Sequence, residues 1–240
     1  MASTRPNWAL NFPSGPTYHE KWISFDSDID VSKFNWTIIG GVGAEQCGWQ
    51  GSIEIQDELH GSLKLTNDAN DNDSIIGQLR YETIKFSGLG KTHWIVGRMK
   101  VSDATQSDFM FGVWKRDTVP LGGTDGASDG IWFRKDDGDA YIDSVRAYNA
   151  ATFPDDYSQD TAIGTMTTSY ITYAIRVITD ATTTGTATIQ FYLDGNVAGS
   201  AISTTNLVAD EELALGFGIM NGEAAAKTLT VESVGYLIER

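Results

Sequence analysis

The sequence predicts an all-β chain, an antiparallel two-sheet β-sandwich of jelly-roll type. Three observations predict it: short apolar or alternating runs recur along most of the chain, turn signals separate them, and no segment sustains a 3.6-residue period. Composition agrees, since 25 Gly against 5 Pro, with many Thr, Val, Ile and aromatic residues, suits strands joined by tight turns. At 240 residues one core suffices and no second globular domain is required.

The clearest strands lie in residues 51 to 240. Gly61 to Thr66 alternates Leu63 and Leu65 with Ser62, Lys64 and Thr66, the period-2 pattern of a half-buried strand. A polar cluster from Asn67 to Ser74 breaks the chain before Ile75 to Phe86 and the long strand Lys91 to Val101. Phe109 to Trp114 is short and continuously apolar, which suits a sandwich centre. Gly130 to Lys135 and Ala140 to Val145 flank Asp136-Asp137-Gly138-Asp139, where the Asp-Gly step supplies the positive φ of a hairpin turn. Tyr170 to Thr179 alternates again, Thr186 to Leu193 follows, Asp194-Gly195-Asn196 turns the chain into Val197 to Ile202, and Leu213 to Met220 and Thr228 to Ile238 close the domain.

Residues 1 to 50 read differently. Three of the five prolines and four of the seven tryptophans, Trp8, Trp22, Trp36 and Trp49, fall here with little periodicity, so the stretch is expected to be an extended N-terminal arm. A free disordered tail is poor in aromatics. The arm therefore packs either on its own sandwich or on a neighbouring subunit.

Charge and cysteine content exclude several functions. A formal net charge of -15 repels nucleic-acid phosphates and leaves no footprint for DNA or RNA. The single Cys47 permits no intramolecular disulfide, as expected of a protein folded in a reducing cytoplasm. Met1 to Trp8 shows no apolar signal-peptide core, and no apolar run reaches the roughly 18 residues of a membrane span, so neither secretion nor a membrane partner is expected.

Few residues suggest chemistry. Asn67 to Asp73 offers hard oxygen ligands, and Asp68, Asn70 and Asn72 share the 1, 3, 5 spacing of a calcium loop, with Asp73 beside them. The match fails at the sixth position, Asp73, where Gly is wanted, and at the twelfth, Leu79, where Glu is required. Two readings stand: a Ca²⁺ site, or a turn whose Asx side chains bond their own backbone. His19, His60 and His93 are far apart and form no zinc spacing, and nucleophile-elbow, P-loop and dinucleotide motifs are absent from the sequence. Trp114, Trp132, Tyr141, Tyr148 and Tyr157 could include a sugar-stacking platform, but Trp114 and Trp132 sit within apolar strands and read better as core residues. The loops from Val119 to Asp129 and Ala150 to Asp160 are the natural places for recognition residues.

Four segments taken in order carry a resemblance: GSLKLTNDANDNDSI at Gly61 to Ile75, DGIWFRKDDGDAYID at Asp129 to Asp143, YLDGNVAG at Tyr192 to Gly199, and EELALGFGIMNGEAAAKTLTVESV at Glu211 to Val234. Together they resemble tailed-phage virion proteins, capsid decoration or head structural proteins, with a concanavalin A-like lectin/glucanase jelly roll. The resemblance covers residues 50 to 240. It implies a non-enzymatic protein on the virion surface, made in the host bacterial cytoplasm, that cements the shell by contact with the major capsid protein and with copies of itself. Trp8, Trp22 and Trp36 are then the expected anchors, because large aromatics dominate interface hot spots. A lectin-like module for a glycan or host receptor is the alternative. A glycoside hydrolase is the third: glycosidases of the same class carry a Glu-x-Asp-x-Glu strand, which Glu54, Gln56 and Glu58 resemble, but with Gln where the middle Asp belongs and Asp57 on the other face.

Overall fold

The structure is a computed structural model that describes residues 18–25, 33–39, 51–56, 61–80, 84–116, 121, 127–148, 157–208 and 211–240. Fifteen strands form two antiparallel sheets: β1 (Tyr18–Ser24), β2 (Phe34–Ile39), β3 (Gly51–Gln56), β4 (Ser62–Asn67), β5 (Ser74–Leu79), β6 (Thr92–Val101), β7 (Ser107–Trp114), β8 (Gly130–Lys135), β9 (Tyr141–Ala147), β10 (Tyr157–Thr165), β11 (Ile171–Thr179), β12 (Ala187–Leu193), β13 (Asn196–Thr204), β14 (Ala214–Asn221) and β15 (Thr228–Glu239). The first sheet runs β13-β12-β11-β6-β15-β4-β3, with β1 also paired to β15, and the second runs β10-β9-β8-β7-β14-β5-β2. The predicted sandwich is the observed one.

The core lies between the sheets and is mostly aromatic on one flank. Phe133 meets Phe191 edge-on at 5.0 Å, Phe109 lies 5.0 Å from Tyr173, and Phe111 is fully buried between them and Gly97. A Cβ added at Gly97 would sit 2.7 Å from the Phe111 ring and from the Met99 methyl, so the glycine is what lets Phe111 reach across. Where β13 meets β10, the two sheets are tied at their edge: Asp160 accepts from the Ser200 amide at 2.7 Å, and Gly199, at φ +67°, bulges over Ile163.

Three expectations need correction. Part of the stretch read as an arm belongs to the sandwich: β1 pairs with β15 and β2 pairs with β5. Their strand character was hidden because β1 buries both faces, Trp22 outside and Ile23 inside, which erases the period-2 pattern. The stretch expected to continue to Phe86 ends as a strand at Leu79, beyond which Ile84 makes an isolated bridge to Leu213. The loop expected at Ala150 to Asp160 becomes β10 from Tyr157, a polar edge strand bulged between Asp160 and Gly164. Both hairpin turns are as read, with Gly138 at φ +73°, and Asp194 and Gly195 at +49° and +81°.

Replacing Gly97 with Ala is expected to cost about 1–3 kcal/mol by overpacking. Urea titration followed by tryptophan fluorescence measures it, with an unchanged m-value.

Candidate functional site

The two ends of the sandwich are built differently. At one end the turns β4–β5, β6–β7, β8–β9, β12–β13 and β14–β15 are short, and most are cross-bonded. At the other lie the longer connections 80–91, 115–129, 148–156 and 205–213. Both loops singled out from the sequence start from this second end. All four segments that carry the phage resemblance have their turns at the first.

The expected calcium residues lie in that first end. The Asn70 carboxamide donates to Asp68 Oδ2 and to Asp73 Oδ2, each at 3.1 Å, and so occupies the space between the two carboxylates. Asp68 Oδ1 accepts from the Ala69 amide, and Asn72, at φ +63°, donates its amide to the Asn221 carbonyl. The buried Asn221 side chain in turn donates to the carbonyls of Asp68 and Asn70, while Asn67 bridges Asp73, Ile219 and Asn221. Asp68, Asn70, Asn72 and Asp73 thus form the Asx turn, locked onto β14. Among the described residues no group of three or more His, Cys, Asp or Glu side chains is arranged to hold a metal ion.

Beside this turn several charges are buried. Lys135 is fully buried and donates to the carbonyls of Thr105 and Ser107. Burial depresses its pKa, against the pull of Asp108 and the neighbouring acids. Asp108 accepts from the Asp137 amide at 2.7 Å through Oδ1, and its buried Oδ2 has no hydrogen-bond partner. Burial raises its pKa to about 6, with Asp137 and Asp136 adding to the rise and the Asp137 amide and Lys135 opposing it. Lys227 joins Asp103, at 2.8 Å, to Glu223. That contact, with the amides of Gln106 and Thr105, holds the Asp103 carboxyl down near 2. The charges fasten three turns to one another.

At the long-loop end the outer face of the second sheet carries Trp114 and Trp132, both buried. Leu121 and Ala127 from the β7–β8 connection pack with them, along with Ile76, Met110, Val145 and Ala147. Trp114 lies across Gly216, where a Cβ would come within 2.4 Å of its ring, and Gln78 donates to the Trp114 carbonyl at 2.8 Å. Lys115 pairs with Glu211 at 3.2 Å, tying this connection to the one before β14. Both tryptophans are therefore packing residues of a second apolar layer. They offer no stacking platform.

The remaining candidates separate. Glu54 is exposed on β3 at the edge of the first sheet, where Gln56 donates to it at 3.2 Å and Lys64 lies opposite it. Glu58 lies outside the described residues, as do Trp8 and Trp49. Trp22 is buried over Gly235 on the outer face of the first sheet, and Trp36 packs between the sheets on Phe34 and Phe217. As an anchor for a partner Trp22 is corrected, since its ring is already buried within the chain, while Trp36 stays partly exposed. The outer face of the first sheet also presents a group that the sequence reading passed over, Arg176 stacked on Trp94 beside Gln190 and Tyr192.

Comparison with known proteins bears on the fold. No family model matches the chain, and no curated protein matches it in sequence. Among solved structures it is similar to a conserved carbohydrate esterase of the Shiga toxin-encoding bacteriophage phi24B, with a TM-score of 0.53 and 16% identity over 92% of this chain and 100% of that one. It is also similar to peanut lectin, with a TM-score of 0.51 and 15% identity over 92% and 97% of the two chains. A third is the potassium-bound carbohydrate recognition domain of Emp46p, at 0.56 and 8% identity over 86% and 88%. At such identities the likeness is one of fold: this is a lectin-like, concanavalin A-type β-sandwich.

Asp108 sets a pH test. Its folded pKa, about 6, lies above the unfolded 3.8, so the folded state binds the extra proton between them and this group adds stability as pH falls through that window. His93 opposes it: burial lowers its pKa to about 4 from 6.5, so its contribution is lost as pH falls below 6.5. Asp108→Asn keeps the Oδ1 acceptor and is expected to stabilise the protein by roughly 1–3 kcal/mol at pH 8, with the gain gone by about pH 4. Denaturation of both proteins across that range separates Asp108 from His93.

Proposed function

We propose that this chain is a non-enzymatic virion structural protein of a tailed phage, decorating and stabilising the capsid through contacts with the major capsid protein and with copies of itself. The observation that carries the reading is the fate of the four resembling segments. The turns of three of them interlock at one end of the sandwich, through Asn67, Asn221, Asp103, Lys135 and Lys227. Carboxylates that the sequence offered to chemistry are used to fix turns. Such a body suits display and docking, since interface residues are worth most when already ordered.

With Trp22 covered on Gly235 and Trp36 half-buried against Phe34 and Phe217, the attachment rests on Trp8 within residues 1 to 17 and on the long-loop end. The protein would be made in the host cytoplasm and work on the shell surface. The second reading, a lectin-like module for a glycan or host receptor, draws on the lectin and recognition-domain neighbours.

Removing residues 1 to 17 leaves β1 intact, so the shortened protein is expected to keep its melting temperature and lose saturable co-sedimentation with undecorated capsids. Undiminished co-sedimentation would exclude the N-terminal segment from attachment. Failure of the whole protein to bind any capsid, together with saturable sugar binding, would favour the second reading. Release of reducing sugar that Glu54→Gln abolishes would overturn the non-enzymatic role.

A further inference from the structure

The outer face of the first sheet has a built polar surface that reaches the long-loop end. At the long-loop end of β11, β12 and β13 lies a cleft of about 470 Å³, lined by Ile178, Thr179, Asp180, Thr188, Ser203 and Thr205 among others. Thr179 is committed to the Gly88 and Lys91 carbonyls. Among the described residues no hydrogen bond engages the hydroxyls of Thr188, Ser203 or Thr205, and Thr188 stands opposite Ser203 in the β12–β13 register.

The next row inward on the same face is Gln190, Arg176 and Trp94, which are cross-strand neighbours. The Arg176 guanidinium lies 5.6 Å from the Trp94 ring centroid, and its buried Nε has no hydrogen-bond partner. Among the described residues no carboxylate pairs with it, although acidic residues outnumber basic ones 32 to 17. Gln190 spends its amide hydrogens on the carbonyls of Phe191, Ala198 and Gly199, which leaves Oε1 as an acceptor. One row further stands Tyr192, half-buried against Trp94 at 5.4 Å. Rows on one face of a strand are about 7 Å apart, two residues of rise, which is the reach of one to two sugar units.

We propose that this face binds an acidic saccharide, its carboxylate on Arg176 and its hydroxyls on Thr188, Ser203 and Gln190. With Nε buried, the guanidinium stacked on the indole offers its terminal Nη edge to a carboxylate. Unoccupied hydroxyls, which both donate and accept, match a polyol. The Tyr192 ring supplies an apolar surface for the C–H face of a pyranose. Asp180 sets the polarity: its Oδ1 is fixed by Thr182 and Thr183 at the far rim of the cleft, so the charged sugar sits at Arg176 and a neutral one in the cleft. A phosphate group is a poorer fit, because among the described residues one cation, Arg176, converges here.

The test uses the full chain and three probes, trigalacturonate, trimannuronate and sialyllactose, each beside its methyl ester, by calorimetry and saturation-transfer NMR. At least one acid is expected to bind saturably and about tenfold or more tighter than its ester. Arg176→Gln should remove that preference, and Arg176→Lys should keep part of it, since it retains the charge without the fork. Thr188→Val with Ser203→Ala should weaken acid and ester alike. Melting temperatures of these variants should match the parent, and co-sedimentation with capsids should be unaffected by Arg176→Gln, which separates this site from shell attachment. No saturable binding of any acid, equal binding of acid and ester, or indifference to Arg176→Gln would each overturn the proposal.

Discussion

Aromatic rings laid over glycines are the contact on which this sandwich depends. Phe111 reaches over Gly97 and Trp36 over Gly77 between the sheets, while Trp114 covers Gly216 on one outer face and Trp22 covers Gly235 on the other. Each pairing lets a bulky ring settle onto backbone, which deepens burial without thickening the sheet. The device serves all three apolar layers. With one cysteine in the chain, no internal crosslink can substitute for it.

Much of this was legible in the sequence and some was not, for identifiable reasons. Strands with one wet face announced themselves, as at Leu63 and Leu65, and the Asp-Gly turns fixed two hairpins. β1 stayed hidden because Trp22 and Ile23 are buried on opposite faces, so its burial no longer alternates. β10 stayed hidden because an edge strand bulged at its middle can be polar throughout. The glycines inside strands carried no signal of their own, since nothing local reveals the ring that a distant strand will place on them. Trp114 and Trp132 were rightly seen as packing residues, but their layer lies outside the second sheet, under Leu121 and Ala127.

The candidate sites follow the same division. Asp68 to Asp73 could be weighed as a turn from local chemistry, and the turn is what the structure contains, but its partner Asn221 lies 153 residues from Asp68. The burial of Asp108 and Lys135 was invisible, because each lies at a strand end beside other polar residues, Ser107 in one case and Arg134 and Asp136 in the other, and reads as part of a solvated turn. Arg176 did leave a trace, a lone cation in the run Ile171 to Thr179. What the sequence could not show is that its cross-strand neighbours would be Trp94 and Gln190 and that, among the described residues, no acid would pair with it.

β15 touches more of the first sheet than any other strand, pairing with β1, β4 and β6 at once. The residues that complete the sheet's middle therefore follow every other described strand in the chain. A nascent chain would hold β6 and β11 with one flank bare until Thr228–Glu239 emerges, and contacts of such long sequence separation close slowly. A folding chain would pass through an interval of exposed sheet edges until that last pairing closes.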